Sequence, residues 1–197
     1  MRTKNSSDPF SSSFSSSGGN NRLGNATTGF THNVNGDYIG TPDYVVTSIA
    51  DTYDGSSDPV NMSIRDAIHR ANITAGTQEI WLPAWNFVLT RQRTTAPNLI
   101  EMNVSEGDLE IDQSLIIRGI DGSTSVAWAP EAAVDKVFEL LGDYNSDGSV
   151  DAADYVIWQT GNLAADGDDD GDVDGADLAV RNANFGNTLT LTGILVS

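Results

Sequence analysis

Apolar residues follow two rhythms along this chain. Over residues 63–72 they recur at helical spacing: Ile64, Ala67, Ile68 and Ala71 fall at i, i+3, i+4 and i+7, on one face of a helix. Ser63 stands where a side chain caps the first turn. Asp66, three residues on, fits a capping box and favours the positive end of the helix. His69 lies beside Ile68 but off the stripe and is expected in solvent. The other rhythm is short and β-like. "YVVTSIA", "EIWLP", "NFVLT", "DLEI", "SLIIRGI", "STSVAW", "DKVFELL" and the final "NTLTLTGILVS" are β-prone runs separated by Gly, Asn, Asp, Pro or Ser. Many short strands with turns between them predict a sandwich, a barrel or a solenoid.

Both rhythms fail in two places. Residues 1–42 are rich in Ser, Gly, Asn and Thr, a composition that buries too little surface to offset chain entropy, and they read as a disordered leader. Residues 142–186 fail differently, through acidic side chains at every second position around a glycine. "GDYNSDGSVDAADYVIWQ" is followed by "ADGDDDGDVDGADLAVRN", and the two align at a constant offset of 23 residues on the scheme D-x-[ND]-x-D-G-x-V-D-x-x-D.

That spacing matches a hard cation. Calcium takes six to eight oxygens, and a twelve-residue loop supplies them from side chains at positions 1, 3, 5 and 12, a carbonyl at 7, and a water held by 9. In the first loop these are Asp143, Asn145, Asp147, Asp154, Ser149 and Asp151; in the second, Asp166, Asp168, Asp170, Asp177, Asp172 and Asp174. Gly148 and Gly171 sit where such a loop turns sharply, and Val150 and Val173 are expected to face each other and tie the loops together. Without a cation the loops are unfavourable, since two carboxylates ~5 Å apart repel by roughly 3 kcal/mol at an effective dielectric near 20. A solvated acidic loop would need neither the glycine nor the valine. Two Ca2+ ions are therefore the expected cofactors; magnesium, which keeps more of its water, fits less well.

Two resemblances follow from these motifs. The duplicated loop–helix unit, with Asp at position 12 and helices "ADYVIWQ" and "ADLAVRNANFG" directly after the loops, resembles the dockerin module. That resemblance implies calcium-dependent docking onto a cohesin-like protein, often in polysaccharide-degrading assemblies. "TSIADTYDG", "SIRDAIHRAN", "EIWLPAWNFVLT", "EGDLEIDQSLIIRGIDGSTSV" and "DKVFEL" resemble the opening of bacterial right-handed parallel β-helix proteins, with Ser63-Ile64-Arg65-Asp66-Ala67-Ile68 as the capping-helix motif and Met62 where relatives often carry Cys. It implies an exported or cell-surface protein. The expected organisation is a mainly β chain: a leader at 1–42, a β-helix-like segment at 43–141 with a capping helix at about 63–72, a dockerin-like two-loop module at 142–186, and a further strand at 187–197. The module, flanked by Gly142 and Gly186, is expected as an insertion between two rungs, and the chain as a fragment of a longer solenoid.

Composition narrows the classes. With 28 acidic residues against 10 basic ones, a net charge of -18, nucleic acid and anionic membrane surfaces are poor partners. No cysteine is present, which excludes disulfides, thiol catalysis and cysteine-held zinc. No apolar run has the length of a membrane span, and "MRTKNSSDPFSSSFSSS" has serine where a signal peptide needs its apolar stretch. Tyr155 and Trp158, three residues apart on one helical face, are expected in the core. The leading expectation is a non-catalytic, calcium-binding assembly or adhesion module outside the cell. The alternative is a polysaccharide lyase or glycoside hydrolase fragment of β-helix type. Asp108, Glu110 and Asp112 would then share one strand face near Arg118; equally, they are the solvated face of a strand whose other face holds Leu109 and Ile111.

Overall fold

The computed structural model describes residues 41–55, 57–92, 104–120, 123–129 and 136–197. The leader expected over 1–42 lies, but for its last two residues, outside them. Among the described residues strand exceeds helix. The elements are β1 (Tyr44–Val45), α1 (Ile64–Asn72), β2 (Gln78–Leu82), β3 (Asn86–Leu89), β4 (Leu109–Ile111), β5 (Leu115–Gly119), β6 (Thr124–Trp128), β7 (Phe138–Leu140), α2 (Ala152–Gln159), α3 (Gly175–Ala183), β8 (Leu189–Thr192) and β9 (Ile194–Val196). The terminal run expected as one strand is two, divided at Gly193.

Among the described residues every ladder between these strands is parallel. The sheets are β1-β2-β5-β8, β3-β6-β9 and β4-β7. From β2 onward the chain visits them in rotation, first, second, third and back to the first, so each strand lies beside the one from the previous circuit. Parallel neighbours need long crossovers, usually helical; here the crossover runs through the other two sheets. The register stacks like on like. Ile80 lies against Ile117 and Ile117 against Leu191. Phe87 lies against Val126 and Val126 against Val196. Leu109 meets Phe138, and Ile111 meets Leu140. Buried and half-buried residues alternate along β5, as the period of a strand requires, and the buried set forms one core with α1.

α1 forms as its pattern predicts. Ile64, Ala67, Ile68 and Ala71 are buried, and the Ser63 side chain accepts from the Asp66 amide. The helix packs on β2 and β4. Its polar side is covered too. Arg65 is fully buried, ion-paired with Asp51 and donating to the carbonyls of Val104 and Gly107. The Asp51 carboxylate also accepts from the amides of Thr90 and Arg91. Burial pushes the Asp51 carboxyl up, but Arg65 and the two amides outweigh it, and the net shift is downward. His69 is half-buried rather than solvated, because the Tyr53 ring packs edge-on against it.

In one circuit residues 112–114 join the third sheet back to the first, from β4 to β5; in the next, residues 141–188 make that same connection from β7 to β8. The acidic repeats and helices α2 and α3 sit inside this second connection. Among the described residues no helix is long and apolar enough to cross a membrane.

Candidate metal centre

The two acidic stretches fold the same way. In the first loop the Asp143 carboxylate accepts from the amides of Asp147 and Gly148, at 3.1 and 2.8 Å. In the second, Asp166 accepts from Asp170 and Gly171, at 3.1 and 3.0 Å. Asp147 then accepts from Ser149, and Asp170 from Asp172. Gly148 and Gly171, at φ 88° and 94°, supply the left-handed turn expected at position 6. Position 4 is left-handed as well, although it carries side chains: Ser146 and Asp169 both lie at φ 57°. Aspartate tolerates that region better than most residues, which suits Asp169.

Position 12 shows what an aspartate does there, in a place where ordinary twelve-residue calcium loops use glutamate. Asp154 is buried at the first turn of α2. Its Oδ1 accepts from the amides of Tyr144 and Asn145, and its Oδ2 from Asp151. Asp177, buried at the start of α3, repeats this with Gly167, Asp168 and Asp174. Asp151 and Asp174, at position 9, are the helix caps of α2 and α3 in full capping boxes. Each position 12 carboxylate thus draws the start of its loop onto a helix N-terminus. An ionised carboxylate has about four acceptor sites, so one remains for a further partner.

The electrostatics leave charge uncompensated. In the second loop, oxygens of Asp166, Asp168 and Asp177 lie within 4.8 Å of one another, as do those of Asp172, Asp174 and Asp177; these clusters can hold a metal ion. Asp168 is buried and its Oδ1 has no hydrogen-bond partner. Leaving such an oxygen bare is costly unless a cation takes it, so the donor set fits a hard metal ion. Burial, with the charges of Asp170 and Asp177, pushes the Asp168 carboxyl up. Asp166 is raised by burial and by Asp177 and Asp170, and Asp143 by burial and by Asp154 and Asp147. Asp172 is raised mainly by the charge of Asp170. Asn145 stands where the second loop has Asp168, and donates its amide to Asp147. Asp147 and Asp170 are exposed and Ser149 is half-buried.

The loops are tied together, but not by their valines. Val150 donates to Asn187 and accepts from Gly186, so both its backbone groups are spent on the segment leading into β8, and its side chain enters the sheet core. Val173 is half-buried. The link expected between Val150 and Val173 is replaced by side chains that cross from one repeat to the other. Trp158 donates to the carbonyl of Asp174, and Arg181, 23 residues on in the equivalent position, donates to the carbonyl of Asp151. Tyr144, at position 2, donates to the carbonyl of Asp177. Its equivalent is Gly167, where an added Cβ would run into the Tyr144 hydroxyl. The two position 2 residues meet, and only one can carry a side chain.

Other expectations come out differently. Tyr155 is exposed and stacks on half-buried Trp158, with ring centroids 5.5 Å apart; neither is in the core, because Asp154 alone of the α2 residues is buried. Val156 is exposed beside them. Asp108 and Glu110 are buried together with Leu109 and Ile111, so β4 is covered on both sides and presents no solvated acidic face. Arg118 lies in a different sheet and pairs with Glu79 on the neighbouring strand. Of the four residues of the enzyme alternative, Asp108 and Glu110 are thus buried and Arg118 is held by Glu79. No family model matches the chain, and no curated protein or solved structure matches it either.

Proposed function

We propose that residues 143–154 and 166–177 each bind one Ca2+ ion, and that the chain is a non-catalytic, calcium-dependent assembly or adhesion module acting outside the cell or at its surface. The observation that carries the reading is the buried, unpartnered Asp168 Oδ1 among like charges, in a loop whose hydrogen-bond pattern is duplicated 23 residues upstream. The ligands in the first loop are Asp143, Asn145, Asp147, the Ser149 carbonyl and Asp154, with Asp151 acting through water; in the second they are Asp166, Asp168, Asp170, the Asp172 carbonyl and Asp177, with Asp174 in the water-holding place. Since the ion binds the closed loops and not the open chain, its binding free energy adds to folding.

The loop–helix duplication supports a dockerin-like module, and the exposed apolar side chains of α2, Tyr155 and Val156, support docking onto a cohesin-like protein. The rotation of the chain through three parallel sheets, with α1 packed at its start, supports a short right-handed parallel β-helix into whose connection the module is inserted. Calorimetric titration with calcium, followed by circular dichroism, tests the core of this reading. Two ions per chain are expected, with helix gained on binding and both signals lost in the Asp147→Ala, Asp170→Ala double variant. A chain that takes up no calcium at millimolar concentration refutes it.

A further inference from the structure

The two loops have the same internal geometry but different surroundings. The second loop hands its carbonyls to Tyr144 and Trp158, bonds that stay within residues 142–186. The first loop is built into the sheets. Its residues 148–150 pair antiparallel with 186–189: Val150 donates to Asn187, Leu189 to Gly148 and Gly186 to Val150. None of these bonds uses the Ser149 carbonyl, which stays available to an ion. A Cβ on Gly148 would lie 3.0 Å from the Leu189 carbonyl, so the loop closes directly over the start of β8.

That start also sets the register of β8 on β5. The Asn187 side chain donates to the Asp112 carbonyl, the Thr188 amide to Ser114, and the Leu115 amide to the Thr188 carbonyl. Beyond it, β8 and β9 have little burial of their own; Leu191, Leu195 and Val196 are exposed. A cavity of about 340 Å³ is lined by residues of both parts, Asp143, Asp147 and Gly148 from the loop and Leu189, Leu191 and Val196 from the strands.

We infer that the ion in the first loop is the one that seats β8 and β9 on the parallel sheets, while the ion in the second loop orders the α2–α3 unit. This rests on the calcium reading above, whose metal centre is marked by Asp168, and adds a division of labour between the two sites. With the first loop open, the charges of Asp143, Asp147 and Asp154 push apart the backbone that carries residues 148–150. β8 then loses its antiparallel partner and keeps only its parallel pairing with β5.

Amide hydrogen exchange on the full chain, with chelator and with free calcium about a hundred times the dissociation constant, tests this. The amides of Leu189–Thr192 are expected to exchange about a hundredfold more slowly with calcium, the factor by which ligand suppresses an opening that releases it. Ile80 and Ile117, inside the sheets, serve as the reference and are expected to change little. Asp147→Ala is expected to keep one ion by calorimetry, to lose the slowing in β8 and to retain it in α3. Asp170→Ala is expected to do the reverse. Should Asp147→Ala also lose protection at Ile80 and Ile117, the wild-type comparison decides alone. Uptake of two ions with no change at β8 overturns the inference and leaves calcium binding standing, as does equal loss of the β8 signal in both variants. Absence of any uptake overturns both.

Discussion

Asp168→Asn should stabilise the protein without metal and destabilise it with calcium, and that change of sign separates a metal centre from an acidic loop of purely structural use. The substitution keeps the size of a buried side chain and removes its charge. Asp168 faces Asp166 and Asp177 with oxygens within 4.8 Å. At that distance each pair repels by about 3 kcal/mol at an effective dielectric near 20. Asp166 is half-exposed, so solvent screens much of this, and a net relief of ~1–2 kcal/mol is expected. The new amide also has a place to go: Asn145, the equivalent residue, donates to Asp147 at 3.0 Å, and the amide introduced by Asp168→Asn can donate to Asp170 in the same way. For a unit of this size the melting temperature in chelator should rise by roughly 2–8 °C, at 2–4 °C per kcal/mol. In saturating calcium the variant has one carboxylate ligand fewer. A hundredfold weaker site removes about 2.7 kcal/mol of ligand-linked stability, more than the ~1–2 kcal/mol relieved without metal, and the melting temperature should fall below that of the wild type. Scanning calorimetry in chelator and in calcium measures both. A variant destabilised in chelator, or shifted alike in both conditions, refutes the reasoning.

Acidity supplies a second test. The carboxyls of Asp143, Asp166 and Asp168 are raised in the folded chain, so between their unfolded and folded values the folded state holds more protons; stability without metal should therefore fall as pH rises through the carboxylate range, and calcium should abolish that fall. Asp51 works in the opposite direction: its carboxyl is lowered, and the stability it provides above its unfolded value should be lost as pH drops through the folded one. Asp51→Asn should accordingly flatten the acid limb of a denaturation series, and it should cost about 3–5 kcal/mol at neutral pH by leaving Arg65 buried without its counter-charge. Gly167→Ala should destabilise the two-loop unit by ~1–3 kcal/mol through the clash with Tyr144, and Tyr144→Ala in the same chain should recover much of that, which a double-mutant cycle in urea can read.

Features set by local spacing were legible in the sequence. The stripe and cap of α1, the short strands, and the left-handed turns at Gly148 and Gly171 depend on neighbours within a few residues, and the structure reproduces them. Features that depend on which distant segment arrives beside which residue were not legible. Val150 pairs its backbone with residues 186–187, because the connection from β7 to β8 brings the chain leaving α3 back past the first loop. Arg65 carries a charge on a helix face that reads as polar, yet Asp51 and the carbonyls of Val104 and Gly107 enclose it. Tyr155 failed in the other direction: an aromatic residue at helical spacing suggests a core, but among the described residues α2 has no further layer packed over it.

The same distinction explains how the repeats differ in use. A twenty-three-residue duplication gives two loops equal chemistry, but equal chemistry does not give equal surroundings. Trp158 and Arg181 occupy one position in the repeat and make one kind of bond, each to the position 9 carbonyl of the other loop, so this crossing pair is nearly symmetric. Tyr144 and Gly167 occupy another, and space at their meeting point admits a single ring. The asymmetry grows at position 8, where Val150 is in the sheet core and Val173 is not. A module that closed only on itself would have no reason to bury one valine and half-expose its twin. Two loops of like sequence were thus separated by the edge of sheet against which the first one folds.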